Sequence, residues 1–234
     1  EIDPIIRSRL SQNWLGQAAT EARVAHSFHA IHRSLICLGA DRGLVRLAAR
    51  AIDDEHRHAA LAEQMAGCYA GRPVGPHPRL RNRQPRHDTA ESVEVRDALY
   101  VVGQCALNET FASAYLSAAR RGAQSPLARW ALRELLEDEV DHARIGWAFL
   151  SEVASARKPQ LDDWLLPLTV CNLREWRRLA LPDDDSLAAY GVPHQEVAHE
   201  AITLALTDVL IPGFQHVGLD TRGLERWSAR GAPV

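Results

Sequence analysis

Residues 51–64 (AIDDEHRHAALAEQ) place acidic residues and histidines inside an alanine-rich run that has the composition of a helix. Glu55 and His58 are three residues apart, and residues at positions i and i+3 lie on the same face of an α-helix. The two side chains could therefore bind one metal ion together. The alternative is a solvated charged face, which is the more common setting for an isolated Glu-x-x-His pattern.

The same pattern occurs a second time, at Glu139 and His142. Each Glu-x-x-His follows a single glutamate by about 30 residues. Glu21 belongs to the apolar stripe of the first predicted helix, and Glu109 lies within the apolar run VVGQCALNETFASAYL. Each half of the chain thus contains a lone glutamate followed by Glu-x-x-His, which indicates a weak internal duplication. A further Glu-x-x-His near the C-terminus, at Glu196, has no lone glutamate and is interpreted either as surface or as support behind the ligands.

The positions of these residues within their helices test whether they could meet. Glu109 lies 13 residues before Gly122, and Glu139 lies 13 residues after Pro126. At about 1.5 Å per residue, the two would reach the same height in an antiparallel pair of helices. In the first half the corresponding separations are 18 residues, from Glu21 to Gly39, and 14 residues after the predicted N-cap at position 41. The heights of the two glutamates therefore match less closely in the first half of the chain.

Four carboxylates and two imidazoles in one helical core would be very costly without cations. Two divalent metal ions would offset the cost. Mixed carboxylate and imidazole ligands suit iron or manganese, and two lone glutamates with two Glu-x-x-His pairs form the ligand set of di-iron and di-manganese helical bundles.

The periodicity of apolar residues, with capping residues and glycines at the ends, predicts an all-α fold. Six helices are predicted, at 11–38, 42–69, 89–121, 126–156, 161–181 and 194–210. The first four would form a bundle core at about 11–156, and the last two would cover it at about 161–213, in a single domain over 1–234. The connection GRPVGPHPRLRNRQPRH is long for a compact domain, and it could carry the chain along the bundle so that the third helix runs parallel to the second.

The composition narrows the class of protein. The chain has 234 residues and a net charge of −3, so no basic excess points to nucleic acid. Its uncharged runs are too short to span a bilayer, and no signal peptide is recognisable. Its four cysteines are widely spaced and form no Cys-x-x-Cys pair, which favours a reduced environment. We therefore expect a cytoplasmic protein that binds neither nucleic acid nor membranes.

Over about residues 18–150 the chain resembles ferritin-like di-iron carboxylate proteins, and more narrowly a bacterial group of ferritin-like domain proteins. The resemblance is carried by Glu21 and by the segments LGAD, DEHRHAALA, CYAGRPVGP, NETF and DEVDHARIGW. It implies an antiparallel four-helix bundle and metal ligands at Glu21, Glu55, His58, Glu109, Glu139 and His142. Asp141 stands where the motif of the fourth helix usually has arginine, which affects an outer salt bridge and not the ligands.

The resemblance also implies residues that support the ligands. Asp54 would hydrogen-bond His142, and Asp138 would hydrogen-bond His58, since a metal-bound histidine usually donates its second N–H to a carboxylate or carbonyl. The alternative is that both are surface aspartates that pair with Arg57 or Arg144. Cys105 precedes Glu109 by one helical turn, where it would either line a pocket or fill the core.

Three functions remain open from the sequence. The first is an O2-dependent di-iron oxidase or oxygenase that hydroxylates, N-oxygenates or desaturates a small organic substrate. It would hold two iron ions, with manganese or a mixed pair as alternatives, and would need an external electron donor because no flavin or nicotinamide motif is present. The second is iron handling, with ferroxidase or peroxide-detoxifying activity, and the third is a helical scaffold without activity. A homodimer is compatible with each.

Overall fold

A computed structural model describes residues 2–79, 87–153, 158–179, 181 and 185–231 of the chain. Within these ranges the regular structure is helical and there is no strand, so the all-α prediction is confirmed. The α-helices are α1 (Pro4–Cys37), α2 (Arg42–Ala70), α3 (Val93–Val101), α4 (Glu109–Gly122), α5 (Pro126–Glu152), α6 (Lys158–Arg177), α7 (Gln195–Leu204), α8 (Ile211–His216) and α9 (Arg222–Ser228). A π-helical segment (Val102–Asn108), here called the π segment, joins α3 to α4.

Several predicted helix ends are confirmed by their capping geometry. Gly39 follows α1 with φ +68°, a left-handed conformation that glycine adopts without a steric penalty. The carboxylate of Asp41 accepts a hydrogen bond from the N–H of Gly43 at 2.6 Å and caps α2. Ser125 caps α5, with Pro126 in its first turn. These signals are local, so the sequence was sufficient to place them.

Two predicted starts are wrong. The first helix begins at Pro4 instead of residue 11, because Asp3 caps it and accepts hydrogen bonds from two backbone N–H groups of the first turn. The third begins at Val93 instead of residue 89, after the N-cap Ser92. In both cases a capping residue decides the boundary, whereas the prediction followed the apolar stripe.

Both predicted C-terminal helices are present, but their ends differ from the prediction, and the 3₁₀ turn and α9 were not predicted. Helix α6 begins at Lys158 and ends at Arg177, and a 3₁₀ turn (Asp185–Tyr190) precedes α7. The helix expected to stop at residue 210 continues through a second π-helical stretch (Ala205–Leu210) into α8. Pro212 is accommodated within the first turn of α8, where its missing N–H does no harm. The predicted end of the fourth helix at residue 156 lies outside the described residues.

The direction of each core helix follows from its connections and contacts. Helices α1 and α2 are joined by a tight turn, as are α4 and α5, so each pair is antiparallel. Between α2 and α5, Asp54 faces His142 and His58 faces Asp138, which makes these helices antiparallel as well. Consequently α4 runs parallel to α2, the arrangement that the long crossover connection predicted.

The core consists of two apolar clusters with a polar layer between them. One cluster includes Phe28 and Ile145, and the other includes Trp14 and Met65. Along α1, α2 and α5, residues of the two clusters lie on either side of the buried glutamates and histidines. The apolar faces thus enclose the layer that carries the predicted ligands.

One described segment, residues 195–216, is long and apolar enough by length and composition to cross a membrane, with a mean hydropathy of 1.3 over its most apolar window. Of that window 44% is buried inside the protein, and core helices of water-soluble proteins pass the same test. The cytoplasmic location and the absence of membrane binding therefore stay predictions.

Candidate metal centre

The six predicted ligands are all buried and lie on the four core helices. Helix α1 supplies Glu21, α4 supplies Glu109, and α2 and α5 each supply a glutamate and a histidine. Their exposed fractions are 3% for Glu21, 0% for Glu55, 1% for His58, 2% for Glu109, 3% for Glu139 and 2% for His142. Burial of this many ionisable groups in one layer is unfavourable unless they are paired or bind metal.

Glu55 and Glu139 face each other across the centre, with one histidine on each side. Nδ1 of His142 lies 3.1 Å from Oε1 of Glu55 and 3.2 Å from Oε2 of Glu139. Nδ1 of His58 lies 3.6 Å from Oε2 of Glu55 and 3.6 Å from Oε1 of Glu139. Each histidine thus points the same ring nitrogen at the same two carboxylates, which gives the centre an approximate two-fold symmetry.

Four of the six residues form a compact group that could hold a metal ion. One ligand atom from each of Glu21, Glu55, His58 and Glu139 lies within 4.8 Å of the others. Glu109 and His142 are not part of this group, although His142 contacts both central glutamates. The structure therefore gathers four of the six predicted ligands more tightly than the other two.

The two aspartates lie behind the histidines, each opposite the histidine that the resemblance implies. Nε2 of His58 lies 3.1 Å from Oδ2 of Asp138. Nε2 of His142 lies 3.6 Å from Oδ2 of Asp54, which is longer than a hydrogen bond. In both cases the aspartate comes from the helix that faces the histidine, so these contacts tie α2 to α5.

Two arginines close this outer layer: Arg57, which the sequence suggests only as the partner of a surface aspartate, and Arg50, which the sequence does not place at the site. Arg57 donates to Oδ1 of Asp54 at 2.8 Å and also to Asp138. Arg50 lies 3.4 Å from Asp54 and 3.7 Å from Asp138. Both arginines come from α2, seven residues and about two turns apart, and that spacing is the signal that could have identified Arg50. The outer salt bridges of this layer are therefore formed without an arginine at position 141.

Two glutamines, which the sequence did not predict at the site, form a second layer. The side-chain amide of Gln17 donates to Glu21, four residues later in α1. The amide of Gln104 donates to Oε1 of Glu109 at 2.6 Å, five residues later. In an α-helix a separation of five residues would turn the two side chains apart, whereas the wider turn of the π segment brings them onto one face. Each lone glutamate therefore has its own amide donor.

The π segment is also in close contact with α5. A Cβ added to Gly146 would lie 2.7 Å from the carbonyl carbon of Cys105, so only glycine fits there. Gly146 comes one turn after His142 and allows the two backbones to touch. Cys105 itself is fully buried in the apolar core, and the residues that line the adjacent cavity do not include it.

Burial and charge repulsion shift the pKa values of the lone glutamates. Burial raises the pKa of Glu21 well above its ordinary value, and repulsion from Glu55 and Glu139 raises it further. The pKa of Glu109 is raised in the same way, by burial first and then by the same two glutamates. In the absence of metal, these two carboxyl groups therefore hold protons more tightly than exposed glutamates do.

The pKa values of the histidines are also raised. Burial alone would lower the pKa of His58, but the neighbouring carboxylates of Asp138, Glu139 and Glu55 outweigh it and raise the pKa to about 12. The pKa of His142 is raised by the corresponding contacts. In return, the pKa of Glu139 is lowered by both histidines despite its burial. Without metal, protons on the two imidazoles therefore supply the positive charge that metal ions would otherwise supply to the buried carboxylates.

A cavity of about 830 Å³ reaches the centre from one side. Glu21, Glu109 and Glu139 form part of its wall, together with Gln17 and Gln104. Its outer part is lined by residues of α4 and α6, which include Tyr115 and Trp176. The volume is in the range of cavities that enclose small organic ligands.

The ligand atoms fit a divalent metal by their chemistry. Neither carboxylate oxygen of Glu55 has a hydrogen bond, and Nδ1 of His58 has none, although all three atoms are fully buried. Buried polar atoms without hydrogen bonds are rare and indicate a missing partner. Oxygen and imidazole ligands without thiolate suit iron, manganese or zinc and do not suit an iron–sulfur cluster. The residues present therefore fit a carboxylate-bridged metal site.

Comparison of the chain with models of known protein families finds no match, and comparison with curated protein sequences finds none either. The class that the fold and the site support is therefore an all-helical protein with a buried carboxylate and histidine cluster that could bind metal, compatible with ferritin-like di-iron sites.

Proposed function

We propose that the chain is a ferritin-like di-metal protein and acts as an O2-dependent di-iron oxidase or oxygenase on a small organic substrate. One observation carries the proposal: Nδ1 of both His58 and His142 faces both Glu55 and Glu139. Two metal ions could share the two glutamates, and each would take one histidine. Glu21 and Glu109 would each complete one side.

When bound, two iron ions supply the electrons and the Lewis acidity needed to activate dioxygen. The residues of the chain hold the ligands in place. Asp54 and Asp138 fix the histidines so that Nδ1 points inward, and the pKa of each aspartate is lowered by the histidine opposite it and by Arg57. Gln17 and Gln104 orient the lone glutamates from the cavity side. The apolar clusters above and below exclude bulk water.

The cavity favours action on an organic substrate over iron handling. It reaches three of the predicted ligands and has room for a small molecule. Oxygenation would place one oxygen atom in the substrate and convert the other into water, with two electrons and two protons from an external donor. Desaturation would instead remove two hydrogen atoms from the substrate and, with two electrons and two protons from the same donor, convert both oxygen atoms into water. The donor, the substrate, the preference for iron over manganese and a homodimer all belong to the proposal.

The test begins with metal binding to chelator-treated protein under nitrogen. We expect about two Fe(II) per chain and an absorption change when O2 is added. Glu55→Ala and Glu139→Ala should each lose most of the bound iron. A matched control is the double variant Glu196→Gln and His199→Ala, because this third Glu-x-x-His lies on α7, outside the cluster. The control should bind iron as the unmodified protein does.

Iron binding that is equal in the glutamate variants and the control would contradict the metal site. Two bound iron ions that catalyse repeated Fe(II) oxidation, with no effect of any organic substrate on O2 consumption, would favour the iron-handling alternative. Substrate-dependent O2 consumption in the presence of a chemical reductant would support the oxygenase.

A further inference from the structure

The cavity beside the metal centre combines aromatic walls, side-chain amides and little positive charge. From this combination we infer that it binds an uncharged, flat aromatic or heteroaromatic molecule that carries N–H or O–H groups. The inference rests on the proposed function, since it takes the cavity as the substrate site of the metal centre. It goes further by naming the chemical class of the substrate.

The charges of the cavity wall argue against an anionic ligand. Among the described lining residues the only basic side chains are Arg23, which is exposed, and His87, whose pKa is lowered by burial. The acidic side chains are the three glutamates of the centre and Glu175, which is exposed near the entrance. In the buried part of the described wall, a carboxylate or phosphate of a ligand would find no basic side chain. The charge of the two metal ions would already be balanced by the four carboxylates of the centre, so the desolvation of an anionic ligand would not be compensated.

A buried cationic ligand is also disfavoured. Two divalent ions would neutralise the four carboxylates of the centre, so the inner wall would carry no net negative charge. Glu175 lies in the exposed part of the wall, where water screens its charge. An uncharged ligand is therefore the one for which the inner cavity imposes the smallest desolvation cost.

The outer wall offers fixed aromatic surfaces. The rings of Tyr115 and Trp176 are 5.8 Å apart between centroids and tilted by 45°. The indole N–H of Trp176 donates to Oδ1 of Asn108 at 3.0 Å, which fixes the plane of the ring. Tyr100 lines the same cavity. Flat rings interact favourably with such surfaces in tilted or offset arrangements, so this wall suits an aromatic ligand better than a flexible alkyl chain.

The inner wall offers hydrogen-bond acceptors. Gln17 and Gln104 each turn their amide N–H toward a glutamate. A glutamate that binds metal is ionised and can only accept hydrogen bonds, so the amide cannot turn round. The amide oxygen of each glutamine is then directed away from that glutamate, and in the described part of the chain neither oxygen accepts a side-chain hydrogen bond. A ligand with N–H or O–H groups would satisfy these acceptors, whereas one without them would leave the acceptors unpaired.

Three probes of nearly equal shape separate these contributions. Benzamide is uncharged and has N–H donors, acetophenone is uncharged without a donor, and benzoate is an anion. Their binding to Mn(II)-loaded protein would be measured by titration calorimetry under nitrogen, with the Mn(II) content of each sample determined in parallel. We expect benzamide to bind about tenfold more tightly than acetophenone, which reflects one hydrogen bond, and benzoate to bind most weakly.

Variants of the wall then locate the probe. Trp176→Leu and Gln104→Leu should each weaken benzamide binding several-fold. Trp130→Leu is the matched control, because Trp130 lies on α5 with 44% of its surface exposed and does not line the cavity. The control should bind benzamide as the unmodified protein does. An equal loss of benzamide affinity in Trp176→Leu and Trp130→Leu, or no loss in either variant, would overturn the assignment of the ligand to this cavity.

The two proposals fail in different ways. Protein that takes up no Mn(II) would overturn the proposed function and this inference with it. Protein that holds about two Mn(II) and binds benzoate or acetophenone as tightly as benzamide would overturn this inference alone.

Discussion

Each histidine of the centre uses its two ring nitrogens for different purposes. Nδ1 faces Glu55 and Glu139, and Nε2 faces an aspartate on the opposite helix. A proton held on Nε2 by the aspartate leaves the lone pair of Nδ1 available for a metal ion. The aspartates therefore control which nitrogen can bind metal, although neither of them belongs to the predicted ligands.

Replacement of Asp54 by asparagine should weaken metal binding and leave the fold intact. The asparagine keeps the shape of the side chain, but it no longer stabilises the N–H of His142 with a negative charge. Loss of such a supporting residue typically costs 10–100-fold in metal affinity or activity. The measurement is a competition titration with a coloured chelator. Asp53→Asn is the matched control because Asp53 is exposed on the same helix. Equal affinities of both variants would show that Asp54 is only a surface charge.

Metal binding should also depend on pH, and the direction follows from the shifted pKa values. The pKa values of Glu21, Glu109 and both histidines are raised in the metal-free protein, that of His58 to about 12. The histidines hold protons at neutral pH, and the two lone glutamates hold theirs more tightly than exposed glutamates do. A metal ion must displace such protons because it binds neutral imidazole and ionised carboxylate. We therefore expect Mn(II) affinity to increase as the pH rises from about 6 to about 8.

The number of protons released can be measured by calorimetric titration in two buffers of different ionisation enthalpy. The stability of the metal-free protein should change in the opposite sense. A raised pKa stabilises the folded state at pH values below the pKa of the unfolded chain, and that contribution decreases as the pH rises toward the folded value. Mn(II) binding that is equal at both pH values and releases no proton would contradict the shifted pKa values.

At the residue scale, the sequence was sufficient to predict that these six residues lie together in one buried layer, since Glu-x-x-His and a lone glutamate at the right height leave a periodic signal. Their role as metal ligands stays a prediction. The sequence was not sufficient for Arg50 or Gln104. Arg50 lies two turns before Arg57 on α2, but the same spacing is common among exposed arginines of charged helices, so this signal alone is weak. Gln104 is five residues from Glu109, a spacing that places side chains apart in an α-helix. Their roles depend on tertiary contacts with α5 and on the π segment.

At the scale of elements, the π segment and α5 determine the position of Glu109. The extra residue in the turn brings Gln104 and Glu109 together, and Gly146 allows α5 to lie directly against this backbone. A helix with one additional residue keeps nearly the same apolar stripe. For this reason the periodicity predicted one continuous helix over 89–121, and the π segment could not be predicted from it.

Gly146→Ala should destabilise the protein strongly. The added methyl group would meet backbone atoms of the π segment, which cannot turn aside as a flexible side chain can. Overpacking of this kind costs about 1–3 kcal/mol or more, and the displacement would also move Glu109 relative to the centre. Urea unfolding would measure the loss. Gly223→Ala is the control, because a methyl group there meets nothing within 4 Å and should be neutral or stabilising by up to about 1 kcal/mol. Equal stabilities of the two variants would contradict the close contact.

At the scale of the whole molecule, the polar layer separates two apolar clusters that are complete without metal. Phe28, Ile31 and Leu35 are fully buried on one side of the layer, and Leu10 and Leu135 on the other. Burial of a large aliphatic or aromatic side chain contributes about 1.5–3 kcal/mol. Most of the folding free energy should therefore come from these clusters, in contrast to a zinc finger, which does not fold without its metal.

The last prediction follows from this division: the metal-free protein should be folded at neutral pH and should gain thermal stability when Mn(II) is added. Metal ions bind the folded chain and not the unfolded one, so stability increases as RT ln(1 + [L]/Kd), about 2.7 kcal/mol at a hundredfold excess over Kd. For a chain of this length, that corresponds to a rise in Tm of about 5–10 °C. The measurement is a thermal melt under nitrogen of chelator-treated protein with and without Mn(II). The Glu139→Ala variant serves as the comparison, and its Tm should hardly respond. An unchanged Tm of the unmodified protein at saturating Mn(II) would contradict a preformed site, and a metal-free protein without a cooperative transition would contradict the independence of the two apolar clusters from metal.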